Sequence, residues 1–457
     1  MVRIKISKNA VAYKVPKPVL DMVKKDMEIL NPKWLEAKKM GRWHGHIPKY
    51  LKPYKESKAS FLMPCSYAEQ LMQALTKENI KFDLTDVRKE IPAKIKFTGK
   101  LKPFQETACA AMLEYTNGTL EAATGAGKTV MGLYLLAANS QRSLVIVHTK
   151  ELADQWFDRM QQFLDVKREE IGLIGQSKFR IGRRVTVGMV QSLYKRVKEL
   201  SDTFGMVITD ECHRAPSRTF TEAIGGLNSK HKIGLTATPF RRDNLTQYIF
   251  WYVGPIRHRV QREGLFERGD IVKPQFILVG TGCKSRFNAV FEYTSVISDL
   301  CKNEVRNKMI VDEVSLFDTS KGSACLLLSD RKNHCQIMQR MLETEHGIHS
   351  VMLTADVNIT ERKRIVDKIN SGEIKFVVAT GQLIGEGFDC KNLSALYLTT
   401  PIKFSGRVLQ YIGRVMRPGN ERPKVFDFVD WDIPALAKSA RGRIKVYGKD
   451  NVIFKGE

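Results

Sequence analysis

Ala122-Ala-Thr124-Gly125-Ala126-Gly127-Lys128-Thr129 decides the reading of this chain. Small residues let backbone N–H groups turn inward around phosphates, and a helix starting near Gly127 adds its positive dipole end. Thr124, Gly125, Ala126 and Gly127 form the cradle, Lys128 is positioned for the β- and γ-phosphates, and the Thr129 hydroxyl for Mg²⁺. Ala122 stands where the usual pattern has Gly and is small enough to keep the cradle. About eighty residues on, Phe204-Gly-Met-Val-Ile-Thr-Asp210-Glu211-Cys-His213 reads as a buried strand. It delivers two carboxylates to its C-terminal edge, where open α/β sheets bind ligands. Asp210 is expected to hold Mg²⁺ and Glu211 to orient and deprotonate an attacking water, with His213 coupling this site to a second one. The two segments together predict hydrolysis of a nucleoside triphosphate, with ATP and Mg²⁺ as cofactors.

Working outward, 457 residues suffice for two or three domains with sizeable cores. The formal charge of +25 predicts a polyanionic partner. Its excess is densest at the front, where the first hundred residues carry 22 Lys/Arg against 10 Asp/Glu. Eight scattered cysteines without a Cys-x-x-Cys pair, and no His cluster at metal spacing, fit a reduced intracellular protein with buried thiols. No apolar stretch approaches membrane-spanning length and the N-terminus lacks a signal-peptide core, so a soluble, cytoplasmic protein is expected.

From about residue 96, short apolar runs alternate with helical patterns, the rhythm of parallel α/β sheets. Ser143–His148, Val185–Val190, the run into Asp210 and Lys232–Thr236 make one set. Ala324–Ser329, Ser350–Thr354, Phe376–Thr380, Ala395–Thr399 and Val425–Val429 make another. The expected fold is α/β, with two tandem RecA-like lobes and the nucleotide between them, behind a small basic accessory domain. The boundaries read as 1–95 for the accessory domain, 96–255 for lobe 1, 256–434 for lobe 2 and 435–457 for a tail of one helix and a short hairpin. Between the lobes, periodicity fades across residues 254–274.

Over roughly positions 98 to 430 the chain resembles the superfamily 2 helicases and translocases of the DExH type. The resemblance implies that Gln105 in Leu101-Lys-Pro-Phe-Gln105 reads the adenine base. It implies backbone-gripping roles for Thr149 and Lys150 in Thr149-Lys-Glu-Leu-Ala-Asp-Gln-Trp156, and for Gln191 and Ser192 in Val190-Gln-Ser-Leu193. Hydroxyl and amide groups there suit phosphate contact, although either segment reads equally well as a helix cap. Thr236 and Thr238 of Thr236-Ala-Thr-Pro239 resemble the segment linking hydrolysis to nucleic-acid grip. In the second lobe, Thr380 is expected at phosphate, and Gly387 and Asp389 of Glu386-Gly-Phe-Asp389 at the nucleotide ribose. Gln410, Gly413, Arg414 and Arg417 fall on one helix face, which fits guanidinium groups aimed at the γ-phosphate and a catalytic role for Gln410, Arg414 and Arg417. Phe404, just ahead of that helix, reads either as a strand-parting wedge or as a core aromatic.

At the front, residues 31–50 interleave basic and aromatic residues, Arg42 and Trp43 among them. The mixture suits phosphate contact and base stacking, or a small domain that packs Trp34 and Trp43 into its own core. Its Asn-Pro…Gly-Arg-Trp…Gly pattern resembles the N-terminal domain of UvsW-type phage helicases, which remodel forks and branched recombination intermediates. The resemblance implies an ATP-dependent DNA helicase or translocase on branched or forked DNA in replication, recombination or repair, acting without an obligate protein partner as a monomer. An RNA helicase, the motor subunit of a restriction or defence complex, and a nucleic-acid-binding scaffold are the alternatives.

Overall fold

Alternation at the very start of the chain sets the first sheet: in Val2–Ile6 (β1), Val2, Ile4 and Ile6 are buried while Arg3 and Lys5 face water. The computed structural model describes the chain except for residues 215–217, 238–244, 321, 382–389, 391, 403–410, 414–421, 449–450 and 456–457. β1 pairs antiparallel with Asn9–Tyr13 (β2) and parallel with Phe82–Asp86 (β7). With Lys55–Glu56 (β5) and Ser60–Pro64 (β6) these form a five-stranded sheet of order β5-β6-β2-β1-β7. Ile29–Leu30 (β3) and Tyr50–Leu51 (β4) pair separately and bracket the helix Pro32–Lys39. Helices Lys17–Asp26 and Ala68–Lys77 bury Val19, Val23, Leu71 and Leu75 in the core of this domain.

That core does not end with the domain. Trp251, on the helix Thr246–Val253 far along the chain, is buried in it beside Tyr67, and Tyr248 and Tyr252 pack against it. Asn117 Nδ2 donates to Ser66 Oγ (3.1 Å), and Ser66 Oγ donates to the Tyr252 carbonyl (3.2 Å). The buried Lys232 ammonium donates to Cys65 Sγ (3.2 Å) and to the Ile224 carbonyl (3.3 Å). Burial pushes the Cys65 thiol up, but the charges of Lys232 and Arg88 outweigh it and leave its pKa below the ordinary value.

The second sheet holds Asn117–Ala122 (β8), Ser143–Val147 (β9), Gly172–Gly175 (β10), Lys178–Arg180 (β11), Val185–Met189 (β12), Met206–Thr209 (β13), His231–Thr236 (β14) and Ile256–Val260 (β15). Its order is β11-β10-β12-β9-β13-β14-β8-β15. β9 and β13 are buried along their whole length, as a parallel sheet covered on both faces requires. Ile256–Val260, at the start of the stretch where periodicity fades, joins this sheet beside β8.

The third sheet contains Gln275–Gly280 (β16), Ala324–Ser329 (β17), Val351–Leu353 (β18), Phe376–Thr380 (β19), Leu393–Leu398 (β20), Lys424–Val429 (β21) and Val452–Lys455 (β22). Its order is β18-β19-β17-β20-β21-β16-β22, and every neighbouring pair is parallel. The expected C-terminal hairpin is instead the helix Pro434–Tyr447 followed by one strand laid parallel to β16. Arg443 on that helix is buried against Asp427, with bonds of 2.7 and 2.9 Å, while the Tyr447 hydroxyl donates to the same carboxylate (2.8 Å).

Residues 1–123 and 127–261 make one compact unit, and residues 124–126 and 262–457 the other. Two α/β sheets, one per unit and parallel except for the edge strand β11, and a small sheet at the front match the expected architecture. All eight cysteines are free and buried. Among the described residues no helix is long and apolar enough to cross a membrane.

Candidate nucleotide site

β8 ends at the fully buried Ala122, and the chain then turns through Gly125 (φ +91°) and Gly127 (φ +81°) into the helix Lys128–Asn139. Both glycines adopt the left-handed conformation, which an L side chain enters at a cost of about 1–2 kcal/mol. The first turn of that helix follows directly on the loop, so its positive dipole end suits an anion held there. Lys128 Nζ folds back to donate to the Ala122 carbonyl (3.2 Å), across the mouth of the loop. Gln105, in the first turn of the helix Pro103–Leu113, is buried and accepts from the Lys102 amide (2.9 Å). A Cβ placed at Gly127 would lie 2.5 Å from Gln105 Nε2, so the amide rests directly on the cradle.

β8, β14, β13 and β9 are parallel neighbours, so Ala122, Thr236, Asp210 and the residues after Val147 share one sheet edge. Asp210 continues β13 by one bond, its amide donating to the Ile146 carbonyl (3.0 Å). Asp210 Oδ2 accepts from the Trp156 indole N–H (2.9 Å), and Oδ1 accepts from the Glu211 amide (2.9 Å). Glu211 sits at φ +47°, a strained conformation for a residue with a side chain, and turns its carboxylate to within 3.2 Å of His213 Nδ1. The same ring nitrogen is 3.0 Å from the buried Thr236 Oγ1.

Burial raises the Asp210 pKa to about 6, reinforced by the Glu211 charge and opposed by the Trp156 hydrogen bond and the Lys128 charge. Burial and the same two carboxylates push the neighbouring Cys212 thiol far up. Negative charge is thus concentrated where a cation would relieve it, and the Asp210 carboxylate offers hard oxygen, as Mg²⁺ prefers.

The structure brings Gln105, Gly127, Lys128, Asp210, Glu211, His213 and Thr236 into this first unit as the sequence suggests. Thr149 and Gln191 are placed differently from a free phosphate grip. The Thr149 hydroxyl caps the helix Lys150–Phe163 by accepting from the Leu152 amide (3.3 Å), and Gln191 Nε2 donates to the His148 carbonyl (3.0 Å). Ser192 lies beside Gln191 in the first turn of the helix Val190–Leu200. Thr380 ends β19 in the second unit. Thr238, Glu386, Gly387, Asp389, Phe404, Gln410, Arg414 and Arg417 lie outside the described residues.

Trp156 is the neighbour of Asp210 that sequence reasoning passed over. Ala153, Trp156, Phe157 and Met160 recur at helical spacing, which marks a buried face. Nothing local to the helix points its indole N–H at a carboxylate fifty-four residues downstream.

At the front, the reading of Trp34 and Trp43 as core residues is overturned. Trp43 is 76% exposed and stacks on His46 (4.9 Å, 23° between planes), while Trp34 is half-buried outside the domain core. The ammonium groups of Lys38 and Lys49 lie 5.2 and 5.6 Å from the Trp34 ring. Asn31 fixes this excursion by capping Pro32–Lys39 through the Lys33 amide (3.1 Å) and by donating to the Pro48 carbonyl (2.9 Å). Elsewhere, Asp312, Glu345 and His346 come close enough to hold an ion, but His346 engages Asp312 (2.8 Å) and Lys308 engages Glu345 (2.9 Å).

Two families match the chain, one described as type III restriction enzyme, res subunit, over residues 98–241, the other as helicase conserved C-terminal domain over residues 305–419. A protein of Acanthamoeba polyphaga mimivirus, named for an ATP-dependent RNA helicase, is 27% identical over 77% of this chain and 68% of its own length. The ATP-dependent DNA helicase uvsW of Enterobacteria phage T4 is 25% identical over 72% of this chain and 68% of its own. Among solved structures, Saccharomyces cerevisiae Dbp5 bound to RNA and ADP BeF3 covers 79% of this chain and 90% of its own, with TM-score 0.58 at 16% identity. That last likeness is one of fold.

Proposed function

We propose that this chain, a superfamily 2 helicase that hydrolyses ATP and binds nucleic acid, acts on DNA at branched or forked sites. The observation that carries the reading is the exposed Trp43–His46 stack beside Trp34 and its two lysines. This is a cationic, aromatic face on a domain whose core is continuous with the unit bearing the phosphate loop. Stacking on exposed bases needs bases out of the duplex, which a branch point supplies and an unbroken duplex does not. The name of the phage T4 relative, a DNA helicase, agrees.

In this reading Gln105 meets the adenine base, and the cradle from Thr124 to Thr129 and Lys128 receive the phosphates. Thr129 and Asp210 hold Mg²⁺, which when bound supplies charge neutralisation on the phosphate oxygens. Glu211 orients the attacking water and takes its proton. His213, 3.2 Å from the Glu211 carboxylate and 3.0 Å from the Thr236 hydroxyl, couples that event to Thr236 and Thr238. Arg414 and Arg417 stabilise charge on the γ-phosphate, with Gln410 beside them. Thr380, Lys150 and Ser192 serve as strand contacts, and Arg42 and Trp43 as branch contacts. The chain works as a monomer.

Steady-state ATPase measurements with a forked DNA, a linear duplex and an RNA of matched length test this. The fork should stimulate most, and Lys128→Ala should abolish turnover with all three. Arg414→Ala and Arg417→Ala should retain ATP binding and lose hydrolysis. Strongest stimulation by RNA would refute the DNA assignment, and normal turnover in Lys128→Ala would refute the site.

A further inference from the structure

We propose that the turn carrying Val290 and Phe291 is the wedge that parts DNA strands, stacking on the terminal base pair of a duplex as it opens. The inference rests on the DNA-helicase reading above and names an element that reading leaves unassigned.

Phe291 is 85% exposed and Val290 74%, adjacent large apolar side chains standing in water. They are presented by a built turn. The Val290 amide donates to Asn288 Oδ1 (2.9 Å), and the Phe291 and Glu292 amides both donate to the Asn288 carbonyl (3.2 and 2.7 Å). Glu292 Oε2 closes the turn by accepting from the Asn288 amide (3.2 Å). Beneath the tip, Phe287, Ala289 and Tyr293 pack against a core of Cys283, Val296, Leu300, Ile433 and Leu436. Further back, Ser285 Oγ donates to Asp299 Oδ2 (3.0 Å) and Thr281 Oγ1 to Asp430 Oδ1 (2.7 Å), where the buried Arg306 guanidinium also binds (2.8 Å). The turn so tied fixes the backbone that presents the two side chains, and the adjacent apolar pair is open to a partner.

The approach to the tip says what that partner is. Burial alternates along the segment: Cys283, Ser285, Phe287 and Ala289 turn inward, while Lys284, Arg286, Asn288 and Val290 turn outward. Two cations therefore lead to the apolar tip on one face, and neither forms an ion pair among the described residues. Arg286 lies 5.0 Å from the Phe287 ring, which orients its guanidinium along the segment. Phosphates below and a planar apolar surface above are the two faces of a nucleic-acid strand end. The segment also leaves β16 at the edge where β19 delivers Thr380, because every strand between them is parallel. Four strand spacings separate β16 from β19, roughly 19 Å. A wedge that opens pairs ahead of the strand grip needs a lead of several nucleotides, and this distance provides it.

The test replaces Val290 and Phe291 together with Ala, and Phe291 alone with Trp. Both side chains are exposed, so the fold should not suffer. The double variant is expected to keep ATP turnover, without DNA and with single-stranded DNA, within twofold of the unaltered chain. Its separation of a tailed fork should fall at least tenfold. Phe291→Trp should retain separation, and a forked oligonucleotide should quench its added emission, measured against the unaltered chain, more than a blunt single strand does. Unchanged separation in the double variant would overturn the proposal and mark the tip as a docking point for another protein. So would a parallel loss of turnover and separation, or an indifferent Trp signal. If DNA fails to stimulate even the unaltered chain, the helicase reading itself falls, and the wedge with it.

Discussion

Replacing Trp156 with Phe should weaken the hold on Mg²⁺ without touching any group that contacts nucleotide. The indole N–H donates to Asp210 Oδ2 over 2.9 Å in a fully buried setting. Hydrogen bonds to a charged group contribute about 1.5–3 kcal/mol. The bond favours the ionised carboxylate, and Asp210 already stands raised to about 6 by burial and by Glu211. Without it the pKa rises further, by about one unit for each 1.4 kcal/mol lost. At pH 7 the carboxyl group then spends at least half its time protonated and unable to bind a cation. ATPase rates at sub-saturating Mg²⁺ should fall about two- to tenfold at neutral pH, and the rising limb of the pH profile should move up by about one to two units. Saturating Mg²⁺ at pH 8.5 should restore most of the rate. Phe also leaves space where the indole rests on Gly132 of the phosphate-loop helix, so melting should be followed alongside. An unmoved pH profile and Mg²⁺ dependence in a folded variant would refute the idea that Trp156 holds Asp210 ionised.

Three further changes probe other contacts. Gly127→Ala combines a left-handed φ of +81° with a Cβ 2.5 Å from Gln105 Nε2, so ATP affinity measured by calorimetry should drop about tenfold or more; equal affinity would mean the cradle does not depend on that glycine. His334 is held between Ser329 Oγ and Asn307 Oδ1 at 3.0 Å each, and burial, with the Arg306 charge, lowers its pKa to about 3. The folded value lies below the unfolded one of about 6.5, so its stabilisation is complete above that pH and declines as the pH falls toward 3. About 2 kcal/mol should be lost between pH 6.5 and 5, and denaturation midpoints of His334→Gln should show a correspondingly flatter pH dependence. Arg443→Met leaves Asp427 with the Tyr447 hydroxyl and no cation, which should cost about 3–5 kcal/mol in chemical denaturation, and a smaller loss would show that water reaches the carboxylate.

The strands that could be read from sequence were those whose burial is continuous. Ser143–Val147, Ala324–Ser329 and Phe376–Thr380 are buried on both sheet faces and stand out as apolar runs. The strand before the phosphate loop, Asn117-Gly-Thr-Leu-Glu-Ala122, carries polar residues whose partners come from elsewhere: Asn117 bonds Ser66, and Thr119 donates to the Gly254 carbonyl (2.8 Å). Its composition hides it for that reason. The order of motifs pointed to Lys128 and Asp210, and both follow the C-terminal ends of neighbouring parallel strands of one sheet, Lys128 after β8 and Asp210 after β13. It left Thr149 open between a helix cap and a phosphate contact, which use the same hydroxyl, and the hydroxyl caps the helix. Nor could Phe291 be singled out, because its exposure follows from Asn288 and Glu292 closing a turn and not from any pattern in the apolar residues.

The shared core around Trp251 has a mechanical consequence. A domain tethered by a linker swings freely and loses whatever displacement its neighbour makes. Here the front sheet is bolted to the unit carrying Lys128 and Asp210 by an indole, by a hydrogen-bond relay from Asn117 through Ser66 to Tyr252, and by a lysine buried against Cys65. The front sheet therefore moves with that unit, and the segment bearing Trp43 is carried on it. Cutting that sheet off would leave Trp251 bare and Lys232 without its sulfur, so removal of the first ninety-five residues should damage the engine as well as its grip.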